Sequence, residues 1–198
     1  MSHFFAFLSR MKFIQRWGLM RNTTTENIQE HSLQVSMIAH GLAVIRNVYF
    51  EGTVDPAKVA LLGMFHEVSE VFTGDLPTPV KYFNPQIKQV YKGIESMAQE
   101  KLFNMLPSEL KESYQSLLIK QDEDMEQWEI VKAADKISAF LKCVEELKLG
   151  NQEFAVAFKT IKQELEKSEL REVKYFMDVF VPSFSLSLDE LNNLGIKD

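Results

Sequence analysis

A histidine and two carboxylates crowd one short stretch of the chain. His66, Glu67 and Glu70 lie in residues 65–70 (FHEVSE), just ahead of a polar turn. If this stretch is helical, His66 and Glu70 share one face, one turn apart. Imidazole nitrogens and carboxylate oxygens suit a divalent transition metal such as Zn, Mn, Fe or Co, and Glu70 would be placed for proton transfer. This composition favours a metal-assisted hydrolytic site, although paired polar residues on a helix are often only its solvated face.

Two residues elsewhere in the chain strengthen the metal hypothesis. His31 lies on an apolar helical stripe, and Asp135 lies among small and apolar neighbours in the middle of a long helical pattern. A poorly solvated aspartate needs a partner, and a metal ion is one. Taken singly, His31 is explained as a core histidine and Asp135 by a salt bridge to Lys132 or Lys136. Taken together, the order His, His-acid, Asp over three predicted helices favours a metal site.

These residues must be positioned by helices, because no segment shows sustained period-2 alternation flanked by turn residues. Asn27 is a plausible N-cap with Glu30 at the reciprocal position, and Asp55-Pro56 starts another helix. We therefore predict an all-α fold and a single domain over residues 1–198. The predicted helices cover residues 27–47, 55–71, 85–105, 107–118, 126–149, 153–167 and 170–180. An amphipathic segment precedes them near residues 4–14. A tail over residues 181–198 follows them and is predicted to be extended, with one short turn at residues 188–193.

Bulk composition excludes several classes of function. A net charge of -6 disfavours binding of polymeric nucleic acid, which needs a basic face. No apolar run is long enough to span a membrane, so we expect no membrane association. The single cysteine, Cys143, cannot form an internal disulfide, which fits a cytoplasmic protein.

Several stretches carry a resemblance to a known family. They are residues 2–6 (SHFFA), 16–17 (RW), 20–22 (MRN), 25–27 (TEN), 30–35 (EHSLQV), 74–84 (GDLPTPVKYFN) and 180–184 (FVPSF). The order of His31, the doublet at 66–67 and Asp135 resembles the HD superfamily of metal-dependent phosphohydrolases. The stretches as a set resemble, more narrowly, the bacterial 5′-deoxynucleotidases of the YfbR type, over essentially the whole chain.

The resemblance implies an HD-domain helical bundle that forms a homodimer. It also implies hydrolysis of deoxyribonucleoside 5′-monophosphates to deoxynucleoside and phosphate by attack of a metal-bound water, with Co, Mn, Zn or a similar ion as cofactor. The substrate is then a small nucleotide. Carried over by motif, the metal ligands are His31, His66, Glu67 and Asp135, and the acid/base residue is Glu70. Arg16 would orient the phosphate and Trp17 would line the sugar or base side. The remaining substrate contacts would come from Asp75, Leu76, Pro77 and Thr78.

One residue departs from the superfamily pattern, because the doublet is His-Asp there and His66-Glu67 here. Glutamate keeps the charge and the oxygen donor but adds a methylene, and metal sites tolerate about 0.2 Å of error in ligand distance. The site could bind metal with altered geometry, bind it weakly, or have become a nucleotide-binding relative without catalysis. We rank a functional or weakened metal site ahead of an inactive one, since the other motif residues remain. A further alternative is an HD-type phosphohydrolase acting on cyclic or polyphosphorylated nucleotides.

Overall fold

The chain folds into helices joined by short turns, which confirms the all-α prediction. The computed structural model describes residues 1–81 and 83–193, with the backbone alone at residues 78 and 79. Over these residues no strand is present apart from one isolated bridge between Gln15 and Asn27. The α-helices of this part are α1 (Phe4–Leu8), α2 (Ile28–Tyr49), α3 (Pro56–Phe65), α4 (Glu70–Thr73), α5 (Thr78–Lys81), α6 (Pro85–Asn104), α7 (Ser108–Leu118), α8 (Met125–Lys148), α9 (Ala155–Glu166), α10 (Arg171–Val179) and α11 (Leu188–Asn193).

Helices α2 and α3, which lead to the candidate site, begin at the residues that the sequence predicts. The Asn27 side chain accepts a hydrogen bond from the Glu30 backbone N–H, and the Glu30 side chain accepts one from the Asn27 backbone N–H. Together the two bonds form a complete capping box. Asp55 caps α3, and Pro56 occupies its first turn. Helix α2 packs against α3 and α8, so these three elements form the frame around the candidate ligands.

The predicted helix over residues 55–71 is wrong in its second half. Helix α3 ends at Phe65, residues 66–69 form a turn, and α4 begins at Glu70. The hydrogen bonds across the turn run between residues three apart, for example from the Glu70 N–H to the Glu67 carbonyl at 3.0 Å. Leu62 before the break and Val68 within it pack into two different apolar clusters.

Both ends of the chain also differ from the prediction. The N-terminal segment is not one helix but α1 followed by a 3-10 turn, Ser9–Phe13, and it buries Phe4 and Met11. In the tail, the short turn predicted at residues 188–193 is the helix α11, whereas residues 181–185, predicted to be extended, form a 3-10 turn, Val181–Ser185. The predicted tail residues 194–198 lie outside the described part of the chain.

The site lies where two apolar clusters meet. The larger cluster gathers residues of α2, α3, α8 and α10, and the smaller one gathers the N-terminal segment, Val68 and the ends of α6 and α7. Helix α2 contributes Ile28 to the smaller cluster and Val35 to the larger one, with buried His31 between them in sequence. None of the helices described is long and apolar enough to cross a membrane.

Candidate active site

Four of the predicted site residues meet at the junction of α2, α3 and α8. His31 comes from α2, His66 and Glu67 come from the turn after α3, and Asp135 comes from α8. One ligand atom from each lies within 4.8 Å of the others. Asp135 Oδ1 is 3.1 Å from His31 Nε2 and 4.0 Å from His66 Nε2. The two Glu67 oxygens are each 3.9 Å from a histidine Nε2, Oε1 from that of His66 and Oε2 from that of His31.

This donor set fits a divalent transition metal. His66 Nε2 and Glu67 Oε2 are buried without a hydrogen-bond partner, which is costly unless another group satisfies them. His66 Nδ1 lies 2.7 Å from the Gly63 carbonyl, so this nitrogen donates and Nε2 keeps its lone pair. Burial lowers the pKa of His66 despite the charges of Glu67 and Asp135, and a neutral imidazole is the form that binds metal.

His31 Nδ1 has two contacts, and each fits a different tautomer of the imidazole ring. Ser138 Oγ lies 3.1 Å from His31 Nδ1 and donates to Gln34 Oε1 at 2.5 Å. Arg16 Nη1 lies 2.8 Å from the same Nδ1. Metal ligation through Nε2 puts the proton on Nδ1, where Ser138 can accept it and Arg16 cannot. The Arg16 contact and ligation by His31 are therefore alternatives, and ligation leaves a guanidinium N–H free.

Arg16 is the cation of the site and is surrounded by carboxylates. Its Nη1 donates to Glu26 at 2.8 Å, its Nη2 is 3.9 Å from Asp135 and its Nε is 4.0 Å from Glu67. Burial opposes the charged form of Arg16, but Glu67, Glu26 and Asp135 outweigh it and raise its pKa. Desolvation likewise opposes the charged form of Asp135, yet the hydrogen bond from His31 and the nearby positive charges hold its pKa below the usual range.

Glu70 lies beside this cluster but not on the straight helix from which its place was predicted. It opens α4 after the turn, it is 4% exposed, and its Oε2 has no hydrogen-bond partner. Burial, together with the charges of Glu67 and Asp75, raises the pKa of Glu70 to about 9. A carboxyl group that stays protonated at neutral pH can donate a proton.

Trp17 and Asp75 meet next to Arg16. Trp17 has a φ of 59°, which is rare for a bulky residue and must be held by its surroundings. Its backbone N–H donates a hydrogen bond to the Asp75 carboxylate, and its ring packs 5.3 Å from that of Phe154. Burial raises the pKa of Asp75, although the Arg16 charge opposes this.

Of the other predicted substrate residues, Leu76 and Pro77 lie on the loop between α4 and α5, and Thr78 is the first residue of α5. Leu76 and Pro77 are partly buried, and the Pro77 carbonyl accepts the first backbone hydrogen bonds of α5, from Val80 at 2.8 Å and Lys81 at 3.0 Å. The side chain of Thr78 lies outside what the structure describes. The loop is thus tied to α5 through its backbone, close in sequence to Asp75.

Two residues that contact the predicted site residues, Ser138 and Glu26, were not predicted from the sequence. Ser138 was detectable, since it lies three residues after Asp135 and so shares its helix face. Glu26 lies in a stretch that carries the family resemblance, but its contacts with Arg16 and Trp17 depend on pairing between residues 14–17 and 26–28. That pairing includes hydrogen bonds from Arg16 N to Glu26 O and from Ile28 N to Ile14 O. Nothing in the spacing of the residues indicates this pairing.

Comparison with known proteins points to the same group of enzymes. The profile of the family described as 5′-deoxynucleotidase YfbR-like matches residues 3–184. A 5′-deoxynucleotidase of Cronobacter sakazakii is 55% identical over 191 residues, which are 96% of this chain and 96% of that protein.

Solved structures share the fold at lower identity. An HD-domain phosphohydrolase from Listeria innocua has a TM-score of 0.79 and 24% identity, covering 97% of this chain and 94% of that one. The HD phosphohydrolase of cyanophage S-2L, solved with dA and one catalytic Zn²⁺ ion, has a TM-score of 0.61 and 22% identity, covering 90% and 95%. At these identities the structures show the HD-domain fold alone. Through its family profile and its relatives, this chain belongs to the 5′-deoxynucleotidase YfbR-like family.

Proposed function

We propose that this protein is a metal-dependent phosphomonoesterase that hydrolyses deoxyribonucleoside 5′-monophosphates to deoxynucleoside and phosphate. The observation that carries the proposal is the cluster of His31, His66, Glu67 and Asp135, in which a buried histidine nitrogen and a carboxylate oxygen lack partners. Relatives that are about half identical over nearly the whole chain bear the name 5′-deoxynucleotidase.

The four clustered residues would hold the metal, with Co, Mn, Zn or a similar ion as the expected cofactor. Such ions bind nitrogen and oxygen at roughly 2.0–2.2 Å, so ligand atoms on opposite sides lie about 4 Å apart. The distances of 3.1–4.0 Å between the histidine nitrogens and the carboxylate oxygens are compatible with this. When bound, the ion would activate a water molecule and polarise a phosphoryl oxygen.

Arg16 supplies the contact with the phosphate. A guanidinium presents planar, paired N–H donors that match phosphate oxygens. The carboxylates of Glu26, Glu67 and Asp135 lie within 4.0 Å of this guanidinium. Without a metal ion, the site is therefore too negative to bind a phosphate dianion. The metal charge and the Arg16 charge are therefore both needed before substrate can bind.

Glu70 carries the proton that the reaction requires. As water oxygen bonds to phosphorus and the bond from phosphorus to the 5′-oxygen breaks, the leaving oxygen needs a proton. Glu70 is buried and its raised pKa keeps that proton at neutral pH. In this assignment Glu70 donates to the 5′-oxygen and then accepts a proton from the next water molecule.

The nucleoside end lies against Trp17 and the loop after α4. Trp17 would form the wall beside the sugar or base, and the Asp75 carboxylate can accept a hydrogen bond from a sugar hydroxyl. Leu76, Pro77 and Thr78 would complete the substrate contacts from the loop. The proximity of Asp75 to the Trp17 backbone supports placing these two on the same side of the substrate.

The alternative of an inactive relative is not favoured. Glu67 still reaches the cluster, with an oxygen 3.9 Å from each histidine Nε2, and Glu70 and Arg16 remain beside it. The longer side chain has therefore not removed a carboxylate from the site.

The test is phosphate release by chelator-treated protein to which Co, Mn, Zn or Mg is added. We expect phosphate from dAMP with the transition metals, and less from AMP, from dATP and from a cyclic nucleotide. Metal binding without release of phosphate from any of them would support the non-catalytic alternative instead. Preferential cleavage of dATP or of the cyclic nucleotide would identify a different HD-type phosphohydrolase.

We also propose the wider properties that the resemblance implies: one domain over residues 1–198, a homodimer, and a cytoplasmic location. The dimer is supported by an exposed apolar stripe on α2, formed by Leu33, Met37, Val44 and Val48, all within about 60° of the helix circumference. The cytoplasmic location is supported by Cys143, a buried free thiol.

A further inference from the structure

One carboxylate oxygen joins the two residues that would grip the substrate. Glu26 Oε2 accepts a hydrogen bond from Arg16 Nη1 at 2.8 Å and another from Trp17 Nε1 at 3.2 Å. The Glu26 side chain is 14% exposed, so these bonds are shielded from competing water. We propose that Glu26 is the positioning residue that fixes the Arg16 guanidinium and the Trp17 indole relative to each other.

The backbone around Glu26 is built to hold this geometry. The Glu26 carbonyl accepts the Arg16 N–H at 2.9 Å, and the neighbouring residues Gln15 and Asn27 form an antiparallel bridge. Asn27 in turn is the N-cap of α2, the helix that carries His31. The position of Glu26 is therefore set by the same helix end that sets the metal cluster.

Trp17 needs such support because its backbone is strained. A φ of 59° is rare for a bulky residue, and it persists only where contacts over-determine it. Besides Glu26, Trp17 is held by a hydrogen bond from Asn22 Nδ2 to its carbonyl at 3.2 Å and by packing on Phe154. The Arg16 guanidinium carbon also lies 5.9 Å from the centre of the Trp17 ring, so the Glu26 bridge holds together two groups that are already in contact.

Simple electrostatics and positioning predict opposite results when the Glu26 charge is removed. If Glu26 only supplied negative charge, Glu26→Met would make the site less repulsive to a phosphate dianion and would lower KM. Methionine has a similar length but lacks the oxygen that accepts both bonds. If Glu26 positions Arg16 and Trp17, Glu26→Met should therefore lower kcat/KM for dAMP, by about 10- to 100-fold, because misplacing a binding group by about 1 Å is that costly. This kinetic arm rests on the proposed function.

The experiment compares Glu26→Met and Glu26→Asp with Glu30→Gln. Glu30 is exposed, lies four residues away, and as glutamine can still complete the capping box. We expect kcat/KM to fall in both Glu26 variants, since methionine lacks the acceptor oxygen and aspartate is too short to reach both donors, and to stay within about twofold of the parent in Glu30→Gln. A lower KM in Glu26→Met with kcat unchanged would overturn the proposal.

A second measurement does not depend on catalysis. The chain has two tryptophans, so a ¹H–¹⁵N spectrum shows two indole signals, which Trp17→Phe assigns. In Glu26→Met, which removes the acceptor, the Trp17 indole signal should shift or broaden while that of Trp128, in the core, stays in place. An unchanged Trp17 signal would contradict the proposal even if the enzyme hydrolyses dAMP. A changed signal in a protein that releases no phosphate would instead count against the proposed function alone.

Discussion

At the scale of single residues, the unusual feature is a glutamate where the superfamily pattern has aspartate. The turn at residues 66–69 is what lets Glu67 take part, since it places the side chain with one oxygen near each histidine. The extra methylene thus changes how the carboxylate approaches the cluster, and the charge of the cluster is unchanged. We expect its effect on metal preference and rate to be larger than its effect on folding.

Glu70 gives a prediction about stability and pH in the metal-free protein. Its folded pKa of about 9 is above the ordinary value of 4.5. The folded state therefore binds an extra proton between these pH values, and stability is lost as pH rises through them. Glu70→Gln should raise the melting temperature, more at pH 8.5 than at pH 5, as measured by thermal unfolding with chelator present. An equal shift at both pH values would show that Glu70 is not a buried acid.

The activity of the same variant tests the role of that proton. With metal present, Glu70→Gln should lower kcat by about 100-fold or more, because general acid–base groups typically contribute that much. Full activity in Glu70→Gln or Glu70→Ala would refute the assignment.

At the scale of elements, the close approach of α2 and α3 depends on Gly63. A methyl group at residue 63 would lie 3.0 Å from the Ser36 Cα. The carbonyl of Gly63 also accepts the hydrogen bond that orients His66. Gly63→Ala should cost about 1–3 kcal/mol in urea unfolding and should weaken metal binding. Gly93→Ala on α6 meets nothing within 4 Å, so the better helix former should instead add up to about 1 kcal/mol. Similar effects of the two substitutions would contradict this packing.

A second element-scale prediction concerns the link between α8 and the loop after Trp17. Glu146 is buried and accepts hydrogen bonds from the backbone N–H groups of Thr23 and Thr24, as well as from Lys142. Glu146→Gln weakens the pairing of a buried lysine, so we expect a loss of about 3 kcal/mol in the free energy of unfolding. Glu145 is exposed, so the free energy of unfolding of Glu145→Gln should lie within about 0.5 kcal/mol of that of the parent.

The pH dependence of the Glu146 effect has the opposite sign to that of Glu70. Burial opposes the charged form of Glu146, but its hydrogen bonds outweigh this and lower its pKa to about 2. Its contribution is present above the ordinary pKa of 4.5 and is lost as pH falls towards 2. The gap between parent and Glu146→Gln should therefore narrow from pH 6 to pH 3. A gap that stays constant would argue against this ionised network.

The helices themselves could be read from the sequence where local signals agree. The capping box at Asn27 and the Asp55-Pro56 start are local, and the structure bears both out. The end of α3 could not be predicted, because residues 66–69 contain no glycine or proline and so give no local signal for a turn. In the tail, the short turn predicted at residues 188–193 falls where α11 forms, but the 3-10 turn at Val181–Ser185 was not predicted.

At the scale of the whole molecule, the apolar stripe on α2 predicts self-association. Met37 at its centre is 62% exposed in a single chain. Met37→Glu should shift the protein from dimer to monomer in analytical ultracentrifugation, because a buried unpaired charge is costly. Met97→Glu, on α6 and 63% exposed, is the matched control and should leave the dimer intact. A monomeric parent protein would refute the dimer proposal.

The candidate ligands of the site could be predicted from the sequence, but the residue that contacts both Arg16 and Trp17 could not. His31, the doublet at 66–67 and Asp135 follow from residue types, their order and the family resemblance, and the structure brings them together. The contacts of Glu26 with Arg16 and Trp17 arise from strand-like pairing between two loop segments. Such non-local pairing leaves no periodic pattern in one sequence, so only the fold reveals it.

The proposed activity depends most on whether the cluster with Glu67 binds a metal ion that supports hydrolysis. The most direct measurement is metal content together with phosphate release from dAMP, for the parent chain and for Glu67→Asp, across Co, Mn, Zn and Mg. We predict metal-dependent turnover in the parent and a higher rate in Glu67→Asp, which restores the superfamily doublet. No retained metal and no turnover in either protein would contradict the assignment of this site as the catalytic centre.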